Sequence, residues 1–139
     1  MANAASVTIT ATVLPDNIAK SISGSQTVTP GDANDKWYYK FTNVSNTSTN
    51  LMAGYFTDYT GVDDDTVPTA IHTADKVKFL FVKNTDSSND VYINVADGAA
   101  SSSAAGSIKI PAGQSVALQI PNSTVDNIHA ITSTGTVDC

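Results

Sequence analysis

The chain is 139 residues long, carries a formal net charge of −6 at pH 7, and contains neither arginine nor glutamate, so seven lysines and thirteen aspartates supply that charge. Glutamate, arginine and leucine are strong helix formers, whereas aspartate, serine, threonine and asparagine favour caps and turns, so the composition argues against a helical fold. An acidic chain without clustered basic residues also argues against nucleic acid as a partner.

The length suits one domain whose core needs neither a metal nor a disulfide. The single cysteine, Cys139, excludes an intrachain disulfide. The amino terminus lacks the charged and apolar regions of a secretory signal, and no apolar run approaches the roughly 20 residues that span a bilayer. We therefore expect a soluble protein that is made in a cytoplasm and does not bind a membrane.

The first predicted element is an amphipathic strand near the amino terminus, in which apolar residues alternate with threonines. The pattern stops at a Leu-Pro-Asp sequence. We therefore expect an amino-terminal strand or arm over residues 1–15 and a β-sandwich domain over residues 16–139. The apolar members of this strand are Val7, Ile9, Ala11 and Val13.

An aromatic strand is predicted over residues 36–41. Trp37, Tyr39 and Phe41 share one face of it, and lysines with Tyr38 share the other. This alternation predicts that the first face is buried and the second solvated.

Residues 77–82 are apolar on both faces, which is typical of a central strand covered by a second sheet. We predict that they form the middle of the core. Further strands are predicted at residues 22–28, 91–95, 107–110, 115–120, 127–131 and 135–138.

The predicted strands number about eight or more. This number of short strands predicts an all-β fold, an antiparallel β-sandwich or jelly roll with a possible extended amino-terminal arm.

Polar segments join these strands. Residues 41–51 and residues 81–91 each run from an aromatic strand through turn-forming residues into an apolar stretch, and we predict a hairpin at each. Residues 110–116 contain Pro and Gly and predict a compact connection, and residues 99–106 predict a flexible loop. The long irregular stretch at residues 55–69 is the best loop candidate for a functional role.

Candidate catalytic and metal-binding residues are few. Asp58 and Asp63–Asp65 offer oxygen ligands for calcium, but the alternating acidic spacing and terminal glutamate of a calcium hand are absent, so a solvated acidic loop is the alternative. His72 and His129 lie in no ligand or triad motif. The chain lacks a nucleophile elbow, a phosphate loop and a dinucleotide fingerprint. We therefore predict no enzyme activity, no catalytic residue, no metal and no cofactor.

The second half of the chain carries a distinctive order of segments. It runs Val77-Lys-Phe-Leu-Phe-Val-Lys-Asn-Thr, then Val91-Tyr-Ile-Asn-Val, then Ile108-Lys-Ile-Pro-Ala-Gly-Gln-Ser-Val-Ala-Leu-Gln-Ile-Pro, then Ile128-His-Ala-Ile-Thr-Ser-Thr-Gly-Thr-Val. This order resembles small β-sandwich structural proteins of tailed bacteriophages, most of all capsid decoration (cement) proteins, and also some tail or fibre modules. The resemblance covers about the last 60 residues.

The resemblance implies a structural role on a virion. We expect a decoration protein that binds the outer surface of the phage head, bridges major capsid proteins and stabilises the shell. It would be assembled in the host cytoplasm as a homo-oligomer, with a trimer favoured. The alternative is a tail-fibre or receptor-binding module that recognises a glycan or protein on the host surface.

Two groups of residues are candidate contacts to the capsid or to a sister subunit. Val7, Ile9 and Val13 offer apolar anchors for β-augmentation, although the same strand could be an ordinary edge strand of its own domain. The second group is aromatic and is predicted to be available to a partner. It consists of Tyr38, Tyr55 and Tyr59.

Overall fold

The computed structural model describes residues 4–13, 20–29, 37–52, 55–58, 69–70, 76–96 and 98–139. Contacts within the chain divide it into two compact units, Met1–Trp37 and Tyr38–Cys139. Within the described ranges every regular element is a β-strand except one short 3-10 turn, Val125–Asn127. The predicted all-β class is therefore confirmed.

The described part of the chain contains thirteen strands. The first two belong to the first unit and the others to the second. In chain order they are β1 (Ala5–Val13), β2 (Lys20–Val28), β3 (Tyr38–Tyr39), β4 (Asn43–Val44), β5 (Thr49–Asn50), β6 (Tyr55–Asp58), β7 (Thr69–Ala70), β8 (Lys76–Lys83), β9 (Val91–Asn94), β10 (Ile108–Ile110), β11 (Ser115–Thr124), β12 (His129–Thr132) and β13 (Val137–Asp138).

The first unit contains an antiparallel ribbon of β1 and β2. Its register pairs Ala5 with Val28 and continues without a shift to the far end of both strands. The weaker prediction of a strand over residues 22–28 is confirmed as part of β2. The predicted boundary between residues 15 and 16 lies outside the described residues and stays a prediction.

The second unit is a β-sandwich around one hydrophobic core. One sheet has the strand order β10-β9-β12-β5, and the pairs β11-β8 and β13-β4 contribute to the same core. The predicted β-sandwich is therefore confirmed. A separate three-stranded sheet has the order β3-β6-β7. The buried core residues are Val44, Leu51, Val77, Leu80, Val82, Val91, Ile93, Ile110, Ile120, Val125, Ile128, Ala130 and Val137.

Backbone hydrogen bonds join the pairs β11-β8 and β13-β4 into one layer. Cys139 and Thr42 exchange two hydrogen bonds of 2.9 Å, which extends the β13-β4 ladder. The Thr85 amide, two residues after β8, donates to the carbonyl of Asp138 at 3.0 Å. Adjacent residues of a strand direct their carbonyls to opposite sides, so β13 lies between β4 and the end of β8. The second layer therefore has the order β11-β8-β13-β4.

Both predicted hairpins are wrong. The segment at residues 41–51 leads from β4, which pairs with β13, to β5, which pairs with β12. The segment at residues 81–91 leads from β8, which pairs with β11, to β9, which pairs with β10 and β12. Each segment therefore crosses from one layer to the other. Turn-forming residues suit both kinds of connection, so local chemistry does not separate them.

Two predicted burial patterns also need correction. Val77, Leu80 and Val82 are buried as expected, but Phe81 on the other face of β8 is 54% exposed. Tyr39 and Phe41, predicted to be buried, are 40% and 81% exposed. The reason is the two-layer architecture, in which each sheet turns only one face towards the core.

The stretch at residues 55–69, predicted to be irregular, begins and ends in strands. Residues 55–58 form β6, which pairs with β3 and with β7. A four-residue segment is too short to show a periodicity, so the sequence does not predict this strand. Its pairing with β3 and β7 determines it. Residues 59–68 lie outside the described residues.

The side chain of Asn84 stabilises the crossing from β8 to β9. Asn84 has no exposed surface, and its Nδ2 donates to the carbonyls of Asn89 at 2.8 Å and Ile110 at 3.2 Å. Its Oδ1 accepts a 3.0 Å hydrogen bond from the amide of Asp86. The amide of Asn84 donates to the carbonyl of Gln114 at 2.9 Å. Asn84 therefore links the end of β8 to the segment before β9, to the end of β10 and to the segment between β10 and β11.

We expect Asn84→Ala to lower the free energy of unfolding by about 2–3 kcal/mol, because it leaves buried carbonyl and amide groups without partners. Urea unfolding followed by circular dichroism measures this loss. The control is Asn46→Ala at an exposed position, which should change stability by less than about 0.5 kcal/mol. Equal losses for the two variants would contradict the role assigned to Asn84.

Candidate interaction surfaces

The β1-β2 ribbon has two chemically distinct faces. On one face Val7 is half-buried, Ile9 is 58% exposed and Ala11 is exposed. The other face carries only hydroxyl side chains among the residues with described exposure, and these are exposed. The register places them in cross-strand pairs, Ser6 with Thr27, Thr8 with Ser25 and Thr10 with Ser23. The ribbon is thus amphipathic and presents apolar surface to solvent.

Within the described ranges the outer edges of the ribbon have no partner strand, because each of the two strands pairs only with the other. Neither strand contains a proline or an aspartate, and Lys20 at one end is the single charged residue in the two strands. Soluble proteins usually protect such edges with charges, prolines or bulges, since free backbone donors and acceptors invite another strand. The ribbon is therefore suited to strand addition.

The predicted contact residues fall into separate places. Val7, Ile9 and Val13 all lie on β1. Tyr38 is half-buried on β3 and lies opposite Asp58 of β6, the strand that begins with Tyr55, so one sheet holds both tyrosine strands. Their contact role stays a prediction. Tyr59, His72 and the acidic loop Asp63–Asp65 lie outside the described residues.

Sequence reasoning missed a surface groove beside β4 and β13. The groove has a volume of about 410 Å³ and is lined by Phe41, Thr42, Asn43, Thr85 and Asp138. The Phe41 ring packs edge-on against Tyr39, with centroids 6.3 Å apart and planes at 86°. No sequence signal marks this groove, because alternation predicts that Phe41 points into the core.

Hydrogen bonds join three of the residues that line the groove. Asn43 Nδ2 donates to Asp138 Oδ1, and Thr85 Oγ1 donates to the carbonyl of Asp138 at 2.9 Å. These contacts connect β4, β13 and Thr85, which lies two residues after β8. An exposed ring beside amide, hydroxyl and carboxylate groups is chemically suited to a polar ligand with an apolar side.

Several described ionisable groups of the second unit have structural partners. Lys109 lies 2.6 Å from Asp90, and this hydrogen-bonded contact lowers the pKa of Asp90 and raises that of Lys109. The Lys109 ammonium also lies 6.0 Å from the centre of the Tyr92 ring. His129 Nδ1 donates to the carbonyl of Gly98 at 2.7 Å. In the described ranges no three His, Cys or Asp side chains are close enough together to hold a metal ion.

Comparisons of the chain with protein-family models, with curated proteins and with solved structures give no match. Among the described residues no helix is long and apolar enough to cross a membrane.

We expect the stability advantage of the wild type over Asp86→Asn to depend on pH. Backbone amides of Asn89 and Ser88, each 2.7 Å from Asp86 Oδ1, lower the pKa of this carboxyl below its ordinary value of 3.8. The charged form is thus favoured in the folded state, so the advantage is present above pH 3.8 and is lost as the pH falls through the lower folded-state pKa. Urea unfolding at several pH values measures it. A difference that does not vary with pH would contradict this assignment.

We expect Cys139 to react slowly with iodoacetamide in the folded protein. Burial, aided by the negative charge of Asp138, raises the pKa of its thiol to about 11. Since the thiolate is the nucleophile, alkylation at about pH 8 should be roughly tenfold or more slower than that of a small reference thiol. Mass spectrometry gives the rate, and the urea-unfolded chain is the control. Equal rates in folded and unfolded chains would contradict the prediction.

Proposed function

We propose that this chain is a structural protein of a tailed-phage particle, namely a capsid decoration protein that binds the outer surface of the head. The sequence resemblance over about the last 60 residues supports this role. Those residues form β8 to β13, which supply most of the sandwich.

The strand order of the sandwich is the observation that carries the proposal. The two layers read β11-β8-β13-β4 and β10-β9-β12-β5, and the chain passes between them after β4, β5, β8, β10, β11 and β12. We infer a jelly roll from this order, with its eight strands in two Greek keys. Jelly rolls recur in viral capsid proteins and in lectins, so the topology supports a virion component without selecting the particular one.

The proposed action is mechanical. A rigid β-sandwich bound across a junction between major capsid proteins stabilises the assembled shell, because it binds that state better than separate subunits. The free edges of the β1-β2 ribbon supply backbone donors and acceptors for strand addition, and Val7 and Ile9 supply apolar anchors. Homo-oligomers of the chain, with trimers favoured, would place several such ribbons around one site.

We expect quantitative mass spectrometry of purified phage particles to find this chain in a copy number comparable to that of the major capsid protein. A shell-wide role requires that ratio. A copy number far below it would move the protein to the tail or a fibre, and absence from the particle would overturn the virion role. Heads stripped of the chain should also lose integrity at a lower temperature than decorated heads.

A receptor-binding role is the second candidate, and the groove at Phe41 favours it. If this groove binds a host glycan, Phe41→Ala should abolish binding of the protein to a glycan array or to host cells. Phe81→Ala is the matched control, because it also removes an exposed phenylalanine ring but lies outside the groove lining. Equal binding by the wild type and both variants, or none by any, would remove this candidate.

A further inference from the structure

We propose that β1 pairs edge to edge, in antiparallel orientation, with β1 of a second copy of this chain. The pairing joins two ribbons into a four-stranded sheet of order β2-β1-β1-β2. This inference deepens the proposed function, on which it rests for its biological setting, by naming the segment that links neighbouring copies. A pairing with two-fold symmetry does not close a trimer, so it would connect one oligomer to the next across the shell.

Among the described residues the ribbon consists of two strands and is incomplete as a sheet. An isolated two-stranded ribbon is marginally stable in water, and three or more strands are needed for independent stability. The described exposures agree with this, since Ile9 is 58% exposed and Ala11 is also exposed. Addition of a second ribbon at one edge supplies the missing strands.

Residue composition favours β1 rather than β2 as the edge that pairs. Six of the nine residues of β1 are Val, Ile or Thr, whose branched side chains favour strands, and the strand has no glycine and no charge. β2 has Gly24 at its centre and Lys20 at one end, and both features weaken or block pairing. β1 is therefore the better edge.

The alternation of apolar and hydroxyl residues in β1 determines the register of the pairing. Apolar residues of both copies share a face only if odd-numbered residues lie opposite odd-numbered residues, since a slip of one residue turns each side chain to the other face. Overlap of the two strands is greatest when Ile9 lies opposite Ile9 of the second copy. Val7 then lies opposite Ala11, and Thr8 lies opposite Thr10. The apolar surface and the hydroxyl surface both become continuous.

The absence of charge in β1 favours a second copy as the occupant. The chain carries thirteen aspartates and a net charge of −6, but none of those aspartates lies in β1 or β2. Pairing β1 with β1 of a second copy therefore places no like charges opposite each other, and β1 offers no charge that would select a charged partner.

The size of the contact determines how it must be measured. A nine-residue edge is about 30 Å long at ~3.4 Å per residue, and its buried area falls well below the roughly 1,200 Å² of stable protein complexes. Pairing in dilute solution is therefore transient, and many copies on one shell would strengthen it. Covalent trapping is the appropriate measurement.

The experiment places one cysteine at a time in the full chain, with Cys139→Ser in every variant. Ile9→Cys, Val7→Cys, Ala11→Cys and Gly24→Cys are oxidised at the same protein concentration, and dimers are counted on non-reducing gels. Circular dichroism of each variant shows that the fold is retained. Only at position 9 does the register bring identical residues face to face, within the short Cβ separation that a disulfide needs.

We expect Ile9→Cys to give at least about fivefold more disulfide dimer than any other single variant, and a mixture of Val7→Cys with Ala11→Cys to give heterodimers above the level of either alone. Equal yields at all positions, a maximum at Gly24→Cys, or no dimer at position 9 would overturn the proposal.

The abundance of the chain on phage particles is measured separately by mass spectrometry. Dimers at position 9 with no chain on particles would refute decoration alone, and abundant chain on particles without these dimers would refute the pairing alone.

Discussion

The sandwich depends on a buried amide. Asn84 is fully buried, yet its donors and its acceptor are all used, on the carbonyls of Asn89 and Ile110 and the amide of Asp86. A buried amide costs stability unless every group is paired, so these contacts stabilise the observed path of the chain. On that path the segment after β8 leads away from β11 and into the facing layer.

The two-layer arrangement of the sandwich determines which aromatic side chains meet solvent. Because each layer turns one face towards the common core, aromatic residues on the outer faces of β8 and of the segment before β4 meet solvent. The junction of β4, β13 and Thr85 then leaves a groove beside Phe41. The groove arises from the arrangement of strands, and its polar groups are the ones that hold those strands together.

The first unit presents a different physical situation. Its ribbon has regular pairing and an amphipathic pattern, but two strands alone bury little apolar surface. The sandwich forms hydrogen bonds between partners far apart in sequence, whereas each strand of the ribbon pairs, among the described residues, only with the other. The proposed pairing of two copies uses the remaining edge of β1.

The sequence by itself determined the all-β class, the sandwich and the positions of the long strands, because period-2 alternation and apolar runs of five or more residues are local properties of the chain. It also determined the uncharged, alternating character of β1. It did not determine the strand partners, the crossing segments or the exposure of Phe41 and Phe81. These depend on contacts between distant residues, such as Asn43 with Asp138 and Asn84 with Ile110, and two-residue strands such as β4 and β5 have no pattern of their own. Tertiary structure alone decided them, since a polar turn has the same local chemistry whether its flanking strands pair with each other or lie in opposite layers.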